Sequence, residues 1–180
     1  MNEWIALLAE GAAEHAILDV LIDQHCCFFE REQLLEHAVI RTRSAKQFQN
    51  KYLNHEFDRQ IHLYRIIDSR QERFNLSFPY RQKISQIETL WTRPEIEILY
   101  IIQQGQYRGF AKQAGKPSEY VKQTLKLNHG NIKSYPVVYQ YWQQRPEELV
   151  QTIIRYGQIT SDPIEKTLVR LLRDDLRATR

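Results

Sequence analysis

Ile5-Ala6-Leu7-Leu8-Ala9-Glu10-Gly11-Ala12-Ala13-Glu14 is the stretch on which the fold turns. Five consecutive apolar residues stop at a carboxylate, a glycine follows, and apolar residues at helical spacing resume from Ile17. A short continuous apolar run bounded by a turn signal reads as a buried strand, and the change of period reads as the helix that follows it. Strand 4–9 and helix 12–26 are therefore expected, with Glu10 at the strand's carboxyl end and Glu14 on the first helical turn. Open α/β sheets bind ligands at such strand ends. A carboxylate directly behind a buried run needs a partner there, which makes Glu10 a candidate metal ligand.

The same pattern recurs. Ile61-His62-Leu63-Tyr64-Arg65-Ile66-Ile67 reads as a second strand that ends at Asp68. Between the two strands the reading gives a short helix near 30–38 and then a linking segment to about residue 60. Arg70 to Tyr80 carries Asn75 and Pro79 and reads as a loop. A helix is expected over 80–89, and Leu90-Trp91 as a short strand. Pro94 fits the first turn of a helix capped by Thr92, running through Glu95 and Glu97 to Ile102 before Gly105. From 107 onward the chain reads as helical, with starts at Pro117, near Pro136, at Arg145-Pro146 and at Asp162-Pro163. The fold class is α/β, a mostly parallel sheet flanked by helices. It divides into residues 1–105 for the sheet domain and 106–180 for a helical carboxyl-terminal extension.

The chain has 180 residues, 42% hydrophobic and 26% charged, enough to bury a core and unlike a disordered segment. No apolar run approaches the ~18 residues that cross a bilayer, and the start lacks a basic leader, so a cytoplasmic location and no membrane partner are expected. Cys26 and Cys27 are adjacent, which suits small buried hydrophobes, and the six histidines show no zinc spacing. The net charge of +3 is mild but unevenly spread. Arg41, Arg43, Lys46 and Lys51 fall in one short stretch. Arg108, Lys112, Lys116, Lys122, Lys126 and Lys133 fall in another, opposed only by Glu119, and this second stretch is the better candidate for a phosphate-facing surface.

Three segments thus deliver acids to one setting: Glu10, Asp68, and Glu95 or Glu97. Clustered carboxylates suit a hard divalent cation and phosphoryl-transfer chemistry, and no nucleophilic triad competes with them. Glu95, next to Pro94, is expected nearer the Glu10–Asp68 pair than Glu97. The blander accounts are a salt-bridged loop around Asp68 and glutamates that only favour helix amino ends.

Glu10-Gly11-Ala12-Ala13-Glu14 after an apolar strand resembles the E-G-x-[TS]-E opening of Toprim domains, in the style of the overcoming-lysogenization-defect nucleases and small Toprim-like families found with phage-defence genes. Ile66-Ile67-Asp68-Ser69-Arg70 is similar to the strand end that carries their D-x-D, and Arg93-Pro94-Glu95-Ile96-Glu97 to the P-E-x-E of the small members. The likeness covers about the first hundred residues. It departs at Ala13, where a hydroxyl residue is usual, and at Arg70, where the second acid is usual; Glu72 is the nearest replacement acid. The resemblance implies phosphodiester cleavage with Mg²⁺ or Mn²⁺ held by Glu10, Glu14, Asp68, Glu72, Glu95 and Glu97, and Lys112 or Lys116 stabilising charge at the scissile phosphate. It implies nucleic acid as partner, with a companion protein encoded nearby and a homo-oligomer as further options, in phage defence or as a toxin. The alternatives are a non-catalytic Toprim-like module that binds a protein or nucleic acid, and a purely helical interaction protein. Tyr135, Tyr139, Tyr141 and Trp142 follow helical spacing and read as helix packing, with base stacking as the other option.

Overall fold

The computed structural model describes residues 3–68, 73–113, 115–125 and 131–178. Arg70, Glu72 and Lys126 lie outside the described residues. Four strands, β1 (Trp4–Ala9), β2 (Ile40–Arg41), β3 (Ile61–Ile67) and β4 (Ile84–Trp91), form one all-parallel sheet in the order β2-β1-β3-β4. The helices are α1 (Ala12–Asp23), α2 (Ala45–Tyr52), α3 (Phe78–Arg81), α4 (Ile98–Gln103), α5 (Tyr107–Phe110), α6 (Pro117–Tyr120), α7 (Tyr135–Gln143), α8 (Pro146–Ile159) and α9 (Asp174–Arg177). The parallel sheet rules out the purely helical reading.

β1 and β3 are central, and both faces of the sheet are covered. Ile5, Leu7 and Ala9 of β1, with Tyr64 and Ile66 of β3, join α1, α4, α7 and α8 in the larger apolar cluster. The alternate residues Ala6, Leu8, Ile61 and Leu63 join Ile40, Phe48 and Leu53 in the smaller one. Burial on both faces explains why these two strands are near-continuous apolar runs. The larger cluster also contains Tyr120, Val138, Trp142 and Leu149, so helices beyond residue 106 pack on the same core as the sheet.

Some of the expected elements are corrected. The segment read as linker to residue 60 holds both β2 and α2. β2 is only two residues long, and Phe48 is the one buried residue inside α2, so neither shows a periodic signal. The segment read as a helix over 80–89 is mostly β4. Ile61 pairs with Ile84 but His62 with Gln86, so Ser85 is an extra residue in an edge strand. This bulge puts Ile84 and Ile87 on one face although they are three apart, a spacing that imitates a helix.

The helix after β4 also starts later than expected, at Ile98. Thr92 continues the sheet instead of capping: its N–H donates to Ile67 O at 3.0 Å, and its buried hydroxyl makes no hydrogen bond. The Arg93–Pro94 peptide is cis.

The aromatic cluster is consumed by packing. The Tyr135 hydroxyl donates to Asp19 Oδ2 at 2.9 Å and the Tyr139 hydroxyl to Asp23 Oδ2 at 2.8 Å, tying α7 to α1. Arg31 Nη2 reaches both aspartates, at 2.9 and 2.6 Å. Asp19 is nearly buried, and burial works against its ionisation, but the hydrogen bonds from His15, Arg31 and Tyr135 outweigh it and hold the carboxyl below its ordinary range.

Candidate acidic site at the carboxyl edge of the sheet

Parallel strands all end on the same edge. In the β1–β3 register Ala9 pairs with Ile66, so Glu10 and Asp68 leave adjacent strands at that edge, and both are exposed. β4 delivers Glu95 and Glu97 from the next position, through the turn that leads into α4.

Gly11 caps α1 in an extended conformation, φ −79° and ψ 151°, which any residue could adopt. Its role is space. A Cβ at Gly11 would stand 1.9 Å from Glu14 Oε2, so the glycine leaves the hollow into which the Glu14 carboxylate folds. Burial raises the Glu14 carboxyl above its ordinary range; its own backbone N–H and Lys133 oppose that shift, while the neighbouring Asp68 and Glu10 carboxylates add to it. Three acids from two strand ends and one helix start therefore share one electrostatic neighbourhood.

Gly11→Ala is accordingly expected to leave stability within ~1 kcal/mol of wild type, because the backbone suits alanine and a flexible carboxylate is what must move. It should displace Glu14 and weaken any divalent-cation binding at the edge by tenfold or more. Isothermal titration with Mn²⁺ alongside a thermal melt checks this, and unaltered Mn²⁺ affinity would count against it.

Of the two glutamates after Pro94, Glu97 is the one turned inward. It is 3% exposed. Burial, with contributions from the Glu95 and Glu14 carboxylates, pushes its pKa up to about 7 against the pull of its backbone N–H and Lys133. Glu95 is claimed elsewhere: its carboxylate accepts from the Ser118 N–H at 2.9 Å and from Lys133 Nζ at 3.2 Å. Burial opposes ionisation of Glu95, yet these donors hold it below its ordinary range.

Lys133 belongs to the second basic stretch, but nothing in the sequence sets it apart from its neighbours there. Burial lowers its pKa, but Glu97, Glu95 and Glu14 together raise it, so it is the cation set among three glutamates. Only the turn before α7 brings it there: Asn131 Oδ1 accepts from the Lys133 N–H at 3.0 Å, and no local pattern marks it. Lys112 and Lys116 are exposed on the segment leading into α6. A shallow cleft lined in part by Ser118, Val121, Lys122 and Lys133 opens beside this end of the site. Another depression, lined in part by Leu53, Phe57, Tyr80 and Lys83, lies where the strands begin, at the edge remote from the acids.

Two arginines flank the other end. Arg43 Nη1 lies 3.2 Å from the Glu10 carboxylate, and Arg41 Nε donates to the Glu10 carbonyl at 3.1 Å. Among the described residues, no three His, Cys, Asp or Glu side chains are already gathered closely enough to hold a metal ion.

Glu97 gives a pH signature. Its folded pKa of about 7 lies above the ordinary 4.5, so the folded protein holds this proton more tightly than the unfolded chain. The contribution is full below about pH 4.5 and is lost as pH rises to about 7, on the order of 2–3 kcal/mol. Glu97→Gln should lack this loss, and its denaturant midpoint relative to wild type should rise between pH 5 and 8 in EDTA. Parallel pH dependences of the two proteins would remove Glu97 as the cause.

No helix among the described residues is long and apolar enough to cross a membrane. Comparison with protein-family models, with curated proteins and with solved structures gave no match to this chain.

Proposed function

We propose that this protein is a Mg²⁺- or Mn²⁺-dependent, Toprim-like nuclease that cleaves phosphodiester bonds of DNA or RNA in the cytoplasm, in a defence or toxin role. The observation that carries the reading is the common edge of Glu10, Glu14 and Asp68, with Glu97 inward behind them. The donor chemistry suits the cation, and among the described residues the carboxylates would have to draw together to hold it. Carboxylates are hard oxygen ligands; burial, with smaller contributions from neighbouring carboxylates, raises Glu14 and Glu97, and the hollow left by Gly11 makes room for the Glu14 carboxylate. Glu10, Glu14 and Asp68 would hold the metal, with Glu72, Glu95 and Glu97 as further acids of the set. When bound, such an ion polarises a phosphoryl oxygen and lowers the pKa of water.

The protein's own groups supply the rest. Glu97, with a pKa near neutrality, can take or give a proton at its carboxylate around pH 7. Lys133 places a fixed positive charge beside the acids, where negative charge develops on a phosphate in transfer; Lys112 and Lys116 would extend that charge along the same side.

The test is incubation of the purified protein with labelled single- and double-stranded DNA and RNA in Mg²⁺ or Mn²⁺. Cleavage that EDTA abolishes is expected, and intact polymers with either metal would overturn the reading. A second reading, a non-catalytic binding module, is favoured by the cations already set on Glu10 and Glu95 by Arg43 and Lys133. It requires nucleic-acid or protein binding without turnover.

A further inference from the structure

The sequence singles out two basic stretches, and the one it ranks second also reaches the acids, at the Glu10 end of the edge. β2 pairs parallel with β1 through Leu8–Ile40 and Ala9–Arg41, so Arg41 stands beside the residue that precedes Glu10. The chain then leaves the sheet at the carboxyl edge, where Arg43 follows and α2 begins. Ser44 caps α2, its hydroxyl accepting from the Gln47 N–H at 3.3 Å. The first turn of this helix carries Lys46 and no acid, so its amino-terminal dipole adds to the same positive flank. Both arginines are exposed.

We propose that Arg41 and Arg43 grip the phosphodiester backbone of a nucleic-acid strand and lead it onto the acidic edge; the proposal rests on the nuclease reading of that edge and names its substrate-positioning residues. A planar guanidinium matches the paired oxygens of a phosphate, and an acidic site needs cations nearby to admit a polyanion. The contacts with Glu10 hold both side chains at the mouth of the site before substrate arrives. The Arg43–Glu10 pair is about half exposed, with side-chain accessibilities of 56% and 52%, so solvent screening makes that pair weak. The contact from Arg41 is made by Nε to a backbone carbonyl, so it engages no carboxylate of the site.

Fluorescence anisotropy with labelled single-stranded DNA and RNA, in EDTA and over a range of salt, reads this without any cleavage. The Arg41→Ala/Arg43→Ala double variant should bind about tenfold or more weakly, and the slope of log affinity against log salt should shrink by roughly 1–2. Arg→Lys at both positions should keep the slope and lose part of the affinity, and thermal melts should show each variant folded. The DNA and RNA arms identify which polymer is preferred. Unchanged affinity and slope in the double variant overturn the proposal, as does wild-type protein that binds neither strand. Wild-type cleavage in Mg²⁺ with no arginine dependence of binding would overturn this inference alone. Arginine-dependent binding with no cleavage would support it and overturn the nuclease reading.

Discussion

Glu10→Gln is expected to lower the single-turnover rate of metal-dependent cleavage at least about a hundredfold, roughly 3 kcal/mol of transition-state stabilisation, while leaving the fold intact. Glu10 follows the last buried residue of β1 at an edge shared with Asp68, and its charge is among those that raise Glu14. An amide keeps the shape but loses the anionic oxygen a hard cation selects. The stability cost is small because the ion pair with Arg43 is about half exposed; such pairs contribute within about 1 kcal/mol. Cleavage rates measured with saturating Mg²⁺, together with melting curves, separate the two effects. Equal rates for wild type and variant would refute the assignment of Glu10 to the metal. A well-folded variant that cannot bind oligonucleotide in EDTA would instead point to disturbed arginines.

Trp142→Ala should cost about 3–5 kcal/mol of stability, the range for emptying a large aromatic site in a core, and lower the melting temperature by roughly 10 °C. Trp142 is 0% exposed. Its ring lies 5.2 Å from that of Tyr100 on α4 and 5.0 Å from that of Tyr141. The consequence reaches the site, because α7 begins two residues after Lys133 and α4 begins one residue after Glu97. Loosening the contact between these helices should spread the positions of both groups and depress cleavage at temperatures where the protein is still folded. Trp142→Phe, which keeps an aromatic ring, should lose less than half as much stability. Denaturant unfolding measures both variants, and a Trp142→Ala cost below about 1 kcal/mol would mean that the helical layer collapses around the gap.

The contrast between well-read and misread elements has a physical pattern. β1 and β3 were legible to the residue because a central strand of a doubly covered parallel sheet must be apolar on both faces, and that requirement appears directly as a run of letters. β4 pairs on only one side, tolerates polar residues, and carries a bulge that turns a two-residue period into a three-residue one. β2 is too short to show any period, and what makes it a strand is the β1 edge waiting beside it. The helix starts at Pro117, near Pro136 and at Pro146 were legible because proline pre-sets the first turn and lacks the N–H that a helix start cannot use.

For the site, the letters showed that Glu10 and Asp68 each end an apolar run, and the parallel β1–β3 pairing put both ends on one edge of the sheet. The sequence by itself could not determine which of Glu95 and Glu97 turns inward, because that depends on the Ser118 N–H and Lys133 claiming Glu95 from elements more than twenty residues away. Nor could it rank the basic residues. Lysines and arginines satisfy themselves in water wherever the chain leaves them, so their spacing carries no address. Only the β1–β2 register and the docking of α7 on α1 decided that Arg41, Arg43 and Lys133 would bracket the acids. Burial is written into residue type because it is a property of one side chain and water, whereas the meeting of charges is a property of two distant segments and exists only once the core has placed them.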